Sequence, residues 1–155
     1  MTRVQRTAAR VLPVSPLGEV LLLQGRDPAY PDDWHWVSIG GAVEHGESLE
    51  EGALRELREE TGIVVSPLAL SPPVHVGTHE FSWDGVDYRN HSTFFAVALD
   101  REVQVRLDGL DEGEIGNVTA AAWWYPDELD RDGSAASPDL PEIMRRAIEV
   151  VKGAA

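Results

Sequence analysis

A chain of 155 residues suits one compact domain, and its 43% hydrophobic, 26% charged composition is that of a globular rather than a disordered protein. It has no cysteine, which excludes disulfides, thiolate zinc centres and cysteine nucleophiles. A formal net charge of −14 argues against a large footprint on duplex DNA, but it is compatible with a small phosphate substrate bound through cations that clustered carboxylates hold. No apolar run is long enough to span a bilayer. Arg3, Arg6 and Arg10 precede a Pro-containing stretch rather than a small-residue cleavage site, so no secretory signal is read and the cytoplasm is the expected compartment.

Two β-prone runs open the chain, Arg6–Leu12 and Glu19–Leu23, with a turn at Ser15-Pro16-Leu17-Gly18 between them. Asp27–Asp33 carries two prolines and three aspartates and reads as an exposed loop. Trp36–Ile39 is a short apolar strand running into Gly40-Gly41. Ser48–Thr61 is the clearest helix, with Ser48 and Glu51 as a capping box and Gly62 as the C-terminal cap. Leu49, Ala53 and Leu57 recur every four residues on it, so that side should meet a core. Val74–Trp83 and Tyr88–Leu99 are strand-like and joined through the hairpin signal Asp84-Gly85. Asp108–Asn117 is a glycine-punctuated acidic loop, Val118–Tyr125 another strand, and Asp132–Pro138 a small-residue linker. Asp139 is placed to cap a final helix through Val151. The irregular alternation of strands and helices predicts a mixed sheet with helices on its faces, an α/β or α+β fold.

The chemistry concentrates in Gly41–Ile63. On a helix turning about 100° per residue, Glu56, Glu59 and Glu60 fall within one arc of roughly 100°. Three like charges so placed weaken a helix unless a cation joins them. Hard oxygen ligands, with no cysteine and no paired histidine, favour Mg²⁺ or Mn²⁺ over zinc. The bland alternative is a solvated acidic face whose partners are Arg55 and Arg58. The spacing is more particular than that. Gly41, Glu47, Arg55, Glu56, Leu57, Glu59, Glu60, Gly62 and Ile63 match the complete Nudix box. Its seven fixed identities would coincide by chance on the order of 10⁻⁸ per start position. The chain therefore resembles the Nudix hydrolase family. Trp36, the Gly40-Gly41 pair, Glu44, Gly46 and the Trp123-Trp124 strand also look like the family, while Ile39 departs from the proline that many members place before the glycine pair.

The resemblance implies a single Nudix domain over residues 1–155, built as an α/β/α sandwich with a mixed sheet between helices. It implies metal-binding carboxylates at Glu56, Glu59 and Glu60, a further ligand from the Gly41 carbonyl, and an Arg55–Glu47 pair that steadies the loop against the helix. The expected cofactor is Mg²⁺ or Mn²⁺, and the expected partner a small nucleotide-like diphosphate, with no duplex nucleic acid and no membrane; a homodimer is compatible with the reading. The expected reaction is attack of water on the diphosphate linkage of a nucleoside diphosphate derivative. A non-catalytic module that senses a nucleotide or binds a protein is the alternative, and the full set of box carboxylates weighs against it.

Elsewhere, Arg26 is within reach of a phosphate, or else an ordinary surface arginine. Arg89 and His91 alternate on one strand and so share a face that would line a substrate pocket. His79 and Glu80 are successive on a strand and are not expected to act together. Phe81, Trp83, Tyr88 and Trp36 are weighed as base-stacking groups against the commoner role of core aromatics. Of Trp123 and Trp124, one is expected in the core and the other partly exposed or at an interface. In the acidic loop Glu114 is the first choice for a catalytic base and Glu112 the second, with Ile115 burying to anchor the loop.

Overall fold

The computed structural model describes residues 3–154. Strand β1, Val4–Val14, is the axis of a seven-stranded mixed sheet. One edge of β1 runs parallel to β6, Val86–Ala98, from the pair Val4–Tyr88 to the pair Val14–Ala98. Its other edge is divided. Residues Ala8–Val11 pair antiparallel with β4, Ile39–Ala42, and Val14 pairs with Val20 of β2, Val20–Gly25. Strand β2 continues to β3, His35–Val37, and to β7, Val118–Trp124, while β5, His75–Trp83, forms the far edge beside β6. The run expected as one strand at Trp36–Ile39 is two strands broken at Ser38, which lets β3 follow β2 and β4 follow β1. Asp84 and Gly85 both take positive φ, 51° and 80°, as the two-residue hairpin between β5 and β6 requires.

Alternation along β1 feeds two cores. Ala9 and Val11 join Leu21, Leu23, Phe95 and Val97 under helix α1, Leu49–Thr61, which buries Ala53 and Leu57 there. Leu12 and Val14 join Leu22 and Ala96 under α2, Pro126–Asp132, and α3, Leu140–Gly153, through Leu129, Ile143, Met144 and Ala147. Helices thus cover both faces of a mixed sheet, the layered arrangement that the sequence pattern predicts. Trp123 packs against the α1-side core and Trp124 against the α3-side core, and both stay partly exposed, so the expected division into one core and one exposed ring is not seen. Trp36 meets Trp124 edge to face at 5.4 Å and belongs to that second core, not to a stacking surface.

Local signals set α1. Ser48 accepts from the Glu51 N–H, Glu51 reaches back to the Ser48 N–H, and Gly62 closes the helix at φ 75°. Helix α2 was not expected. It has seven residues, Pro126 in its first turn and no side-chain cap, so it leaves little trace in sequence. Asp139 occupies the N-cap position of α3 but makes no cap bond; its carboxylate accepts from Ser137 Oγ at 2.7 Å.

The glycine pair on β4 is demanding. Gly40 has φ +147°, and a Cβ there would stand 2.5 Å from the Ala9 carbonyl oxygen and 2.6 Å from Arg10 Cα. Both the backbone angle and the neighbouring strand exclude a side chain. Gly40→Ala should lower folding stability by about 1–3 kcal/mol, read from urea denaturation midpoints. An unchanged midpoint would show that β4 can slide away from β1 at no cost.

Candidate active site

A cavity of about 1000 Å³ opens over the face of the sheet that carries Arg6 and Arg10, and reaches the edge where α1 passes β4. Its acidic end is built from the box. Gly40 N–H donates to Glu60 Oε1 at 2.7 Å, and a Cβ on Gly41 would lie 2.7 Å from Glu56 Oε1. The two glycines therefore let the α1 carboxylates rest against bare backbone. Arg55 organises the rest. Its Nε donates to Glu47 Oε2 at 2.8 Å, its Nη2 to the Ala42 carbonyl and Glu47 Oε1, and its Nη1 to Glu56 at 3.0 Å and Glu59 at 3.1 Å. The Glu47 hydrogen bonds raise the Arg55 pKa further, while that same partnership pulls the Glu47 carboxyl below its ordinary range. The expected pair is in place, and it reaches beyond the loop to two of the three helix carboxylates.

Glu60 is 4% exposed. Burial, then the nearby Glu56 and Glu114 charges, holds its carboxyl well above the usual range, against the opposing pull of Arg10 and the Gly40 N–H. Burial likewise raises Glu56, with Arg55 opposing. Glu114 is raised too, chiefly by burial, with the Asp111 and Glu56 charges adding to it. Among the loop carboxylates Glu114 and Asp111 line the cavity, and Glu112 does not. Ile115 is 64% exposed, so burial does not anchor the loop. Asp111 and Glu114 instead bond to each other's backbone N–H groups, and Asn117 accepts from Arg26 Nε at 3.0 Å.

Arg26 lines the cavity with its guanidinium 4.7 Å above the Trp34 ring and a second bond to the Pro31 carbonyl. It ties the loop after β2 to the acidic loop. Arg89 and His91 fall on the opposite face of β6 from the cavity. Arg89 pairs with Glu80 at 2.6 Å, and His91 bonds Gln5 and Thr78. The expectation that they line the pocket is therefore corrected: the lining residues of β6 are Tyr88, Asn90, Ser92 and Phe94. His79 faces the cavity and Glu80 faces away, as strand alternation requires. Phe81, Trp83 and Tyr88 also line it.

Sequence reasoning missed Arg10 and Arg6. Arg10 Nε donates to Ser38 Oγ and its Nη2 to the Ser38 carbonyl, both at 2.6 Å, and burial lowers its pKa while Glu60 and Glu56 oppose that shift. A signal was present: two arginines four apart in a strand share a face with each other, and every other residue of that strand's middle is apolar or small.

The acidic end offers only oxygen donors, suited to a hard divalent cation. Among the described residues no three acidic or histidine side chains converge into a ready-made cage. Mg²⁺ sites commonly use one or two carboxylates with waters and substrate phosphates, so the donors present fit such an ion.

A family model described as the NUDIX domain matches residues 4–147. A Bos taurus m7GpppN-mRNA hydrolase NUDT17 is 34% identical over 98 residues, covering 59% of this chain and 32% of that protein. Nucleoside triphosphatase NudI of Escherichia coli is 29% identical over 117 residues, covering 72% and 77%. The chain thus spans about a third of the first relative and about three quarters of the second. Among solved structures, a MutT protein from Methanosarcina mazei Go1 superposes with a TM-score of 0.73 at 19% identity, over 98% of this chain and 99% of that one, which shows a shared fold. The chain belongs to the Nudix family.

The raised Glu60 pKa has a sign that can be checked. A carboxyl raised in the folded state leaves the native chain holding more protons than the unfolded one, so stability falls as pH rises through that window. Without added cation, Glu60→Gln should raise the melting temperature at alkaline pH, and the gain should shrink as pH falls through the raised Glu60 pKa and the parent glutamate protonates. A loss of stability at alkaline pH would mean that the Glu60 charge is already compensated.

Proposed function

We propose that this chain is a divalent-cation-dependent pyrophosphohydrolase that directs water at the diphosphate linkage of a nucleoside triphosphate or of a dinucleotide or nucleotide-sugar type substrate. The observation that carries the reading is the single cavity joining the box carboxylates at one end to Phe81, Trp83 and Tyr88 at the other. Its ends suit a polyphosphate and an aromatic base. Relatives named as a nucleoside triphosphatase, NudI, and as an m7GpppN-mRNA hydrolase, NUDT17, support the reading.

Glu56, Glu59, Glu60 and the Gly41 backbone would hold Mg²⁺ or Mn²⁺. When bound, such an ion neutralises phosphate charge and lowers the pKa of water. The protein's own groups supply the remainder. Arg55 keeps Glu56 and Glu59 aimed while opposing their mutual repulsion. Arg10, clamped by Ser38, keeps further N–H groups for phosphate oxygens, which a guanidinium grips strongly. Glu114 lines the same cavity as Glu60 with its proton affinity increased by burial, which suits it to take the proton of the attacking water. Arg26 stiffens the wall that carries this loop.

Three outcomes are expected. Hydrolysis of the best substrate in a nucleotide panel should stop in excess chelator and return with Mg²⁺ or Mn²⁺, read as phosphate or pyrophosphate release; full turnover in chelator would overturn the reading. Glu59→Gln should cut kcat by about 10²-fold or more with little change in melting temperature. Glu114→Gln should lower kcat more than it raises KM. Because a base works only when deprotonated, rate should fall as pH falls through the raised Glu114 pKa, and the variant should flatten that acid limb. Unchanged kinetics for Glu114→Gln would return the role of base to a box glutamate.

A further inference from the structure

Along the β5–β6 side of the cavity stands a wall on which Asn90 and Arg6 present donors toward the space. Asn90 lines the cavity yet is 4% exposed. Arg6 Nε donates to its Oδ1 at 3.1 Å, which fixes which way the amide faces. Neither Asn90 Nδ2 nor the Arg6 Nη groups have a hydrogen-bond acceptor among the described residues. The Arg6 guanidinium lies 4.4 Å from the Tyr88 centroid and 5.6 Å from that of Phe81, so it caps both rings. Those rings stack at 5.3 Å with 18° between their planes, and His79 stacks on Phe81 at 5.6 Å and 12°. Tyr88, Phe81 and His79 thus form a near-parallel aromatic cluster along the wall, beside the free donors of Asn90 and Arg6.

We propose that this wall is a subsite for a 6-oxopurine base, gripped at O6 and N7 by Asn90 and Arg6 and packed against the aromatic cluster of Tyr88, Phe81 and His79. The donor pattern makes the choice. Only guanine and hypoxanthine present two adjacent acceptors on that edge. Adenine places its N6 donor against a donor, cytosine does the same with N4, and uracil offers one acceptor with a carbon beside it. Asn90 would otherwise suit adenine, whose N6 and N7 need an acceptor and a donor. Here Arg6 occupies its oxygen, which leaves the amide as a donor. The wide aromatic surface also favours two fused rings over one. This inference deepens the proposed function, because it names the base class that the same cavity takes.

The test is equilibrium binding of nucleoside monophosphates to the intact chain by calorimetry, run beside kcat/KM for the matching triphosphates. GMP and IMP should bind about 10-fold or more tightly than AMP, CMP and UMP, the scale of one bidentate base contact. Replacing GMP by 7-deaza-GMP, which lacks the N7 acceptor, should remove most of that preference. Asn90→Asp keeps an acceptor for Arg6 and turns a second acceptor to the cavity, so the GMP-to-AMP ratio should fall toward or below one. The 7-deaza comparison needs no variant and stands even if Asn90→Asp does not fold. Equal binding of GMP and AMP, undiminished binding of 7-deaza-GMP, or no saturable binding of any monophosphate would each overturn the subsite. A GMP preference with no triphosphate, dinucleotide or nucleotide sugar hydrolysed would remove the hydrolase reading and leave the subsite. Hydrolysis of GTP and ATP at equal kcat/KM, without a binding preference, would do the reverse.

Discussion

The structure depends on holding like-charged carboxylates out of water at the seam between α1 and β4. Glu60 is almost fully buried and Glu56 largely so, and their only close neutral support is a glycine backbone. Isolated buried charge of that kind is expensive, and the chain meets the cost from three directions. Arg55 bridges Glu47, Glu56 and Glu59. Arg10 opposes Glu60 from the neighbouring strand. The Gly40 N–H donates directly to Glu60. None of these fully returns the Glu60 or Glu56 carboxyl to its ordinary range. What is left over is an affinity for positive charge built into the fold, and it stays because Ala53 and Leu57 on the same helix are locked into the core.

The seam in turn needs β1 to be shared. Had β2 occupied the whole free edge of β1, no β4 would lie beside Ala8–Val11, and the carboxylates of α1 would meet a strand bearing side chains. The break at Ser38 is what divides the edge, and the same residue clamps Arg10 with its hydroxyl and its carbonyl. One residue thereby ends β3, admits β4 and orients the arginine that faces the acidic end. Such coupling explains why Ile39, which replaces a more rigid proline found in many relatives of the box, costs the site nothing visible: the Gly40 and Gly41 positions are already fixed by four consecutive pairs to β1.

Sequence spoke most clearly where interactions are local. The capping box and the Gly62 cap are short-range facts and the structure shows both, and the Arg55–Glu47 pair that the resemblance implies is present as well. It was silent where a partner strand decides. Tyr88, Arg89, Asn90 and His91 alternate polar groups on both faces, so periodicity tells which residues belong together but not which set looks inward. Register with β1 decides it, by setting Asn90 opposite Arg6 and leaving Arg89 to Glu80 across β5. Helix α2 escaped for a different reason, since seven residues entered through a proline carry neither a cap nor a full period. Glu114 was legible only as one acid in an acidic loop. That it lines the same cavity as Glu60 is a tertiary fact, in a loop tied by Arg26–Asn117 rather than anchored by burial of Ile115.

The distribution of charge sets the orientation a ligand can take. In a chain of net charge −14, Arg6 and Arg10 lie on one face of the central strand, four residues and so about 13 Å apart by strand rise. Arg10 stands nearer the carboxylates and Arg6 nearer the aromatic wall. An anionic ligand entering the cavity therefore meets repulsion from Glu56, Glu60 and Glu114 unless a cation accompanies it, while its uncharged end meets no such barrier beside Arg6 and Asn90. Cation binding and ligand orientation are then one event rather than two. Under the proposed function, phosphates would approach the acidic end as a metal complex, which would turn the other end of the molecule toward the donors of β1 and β6.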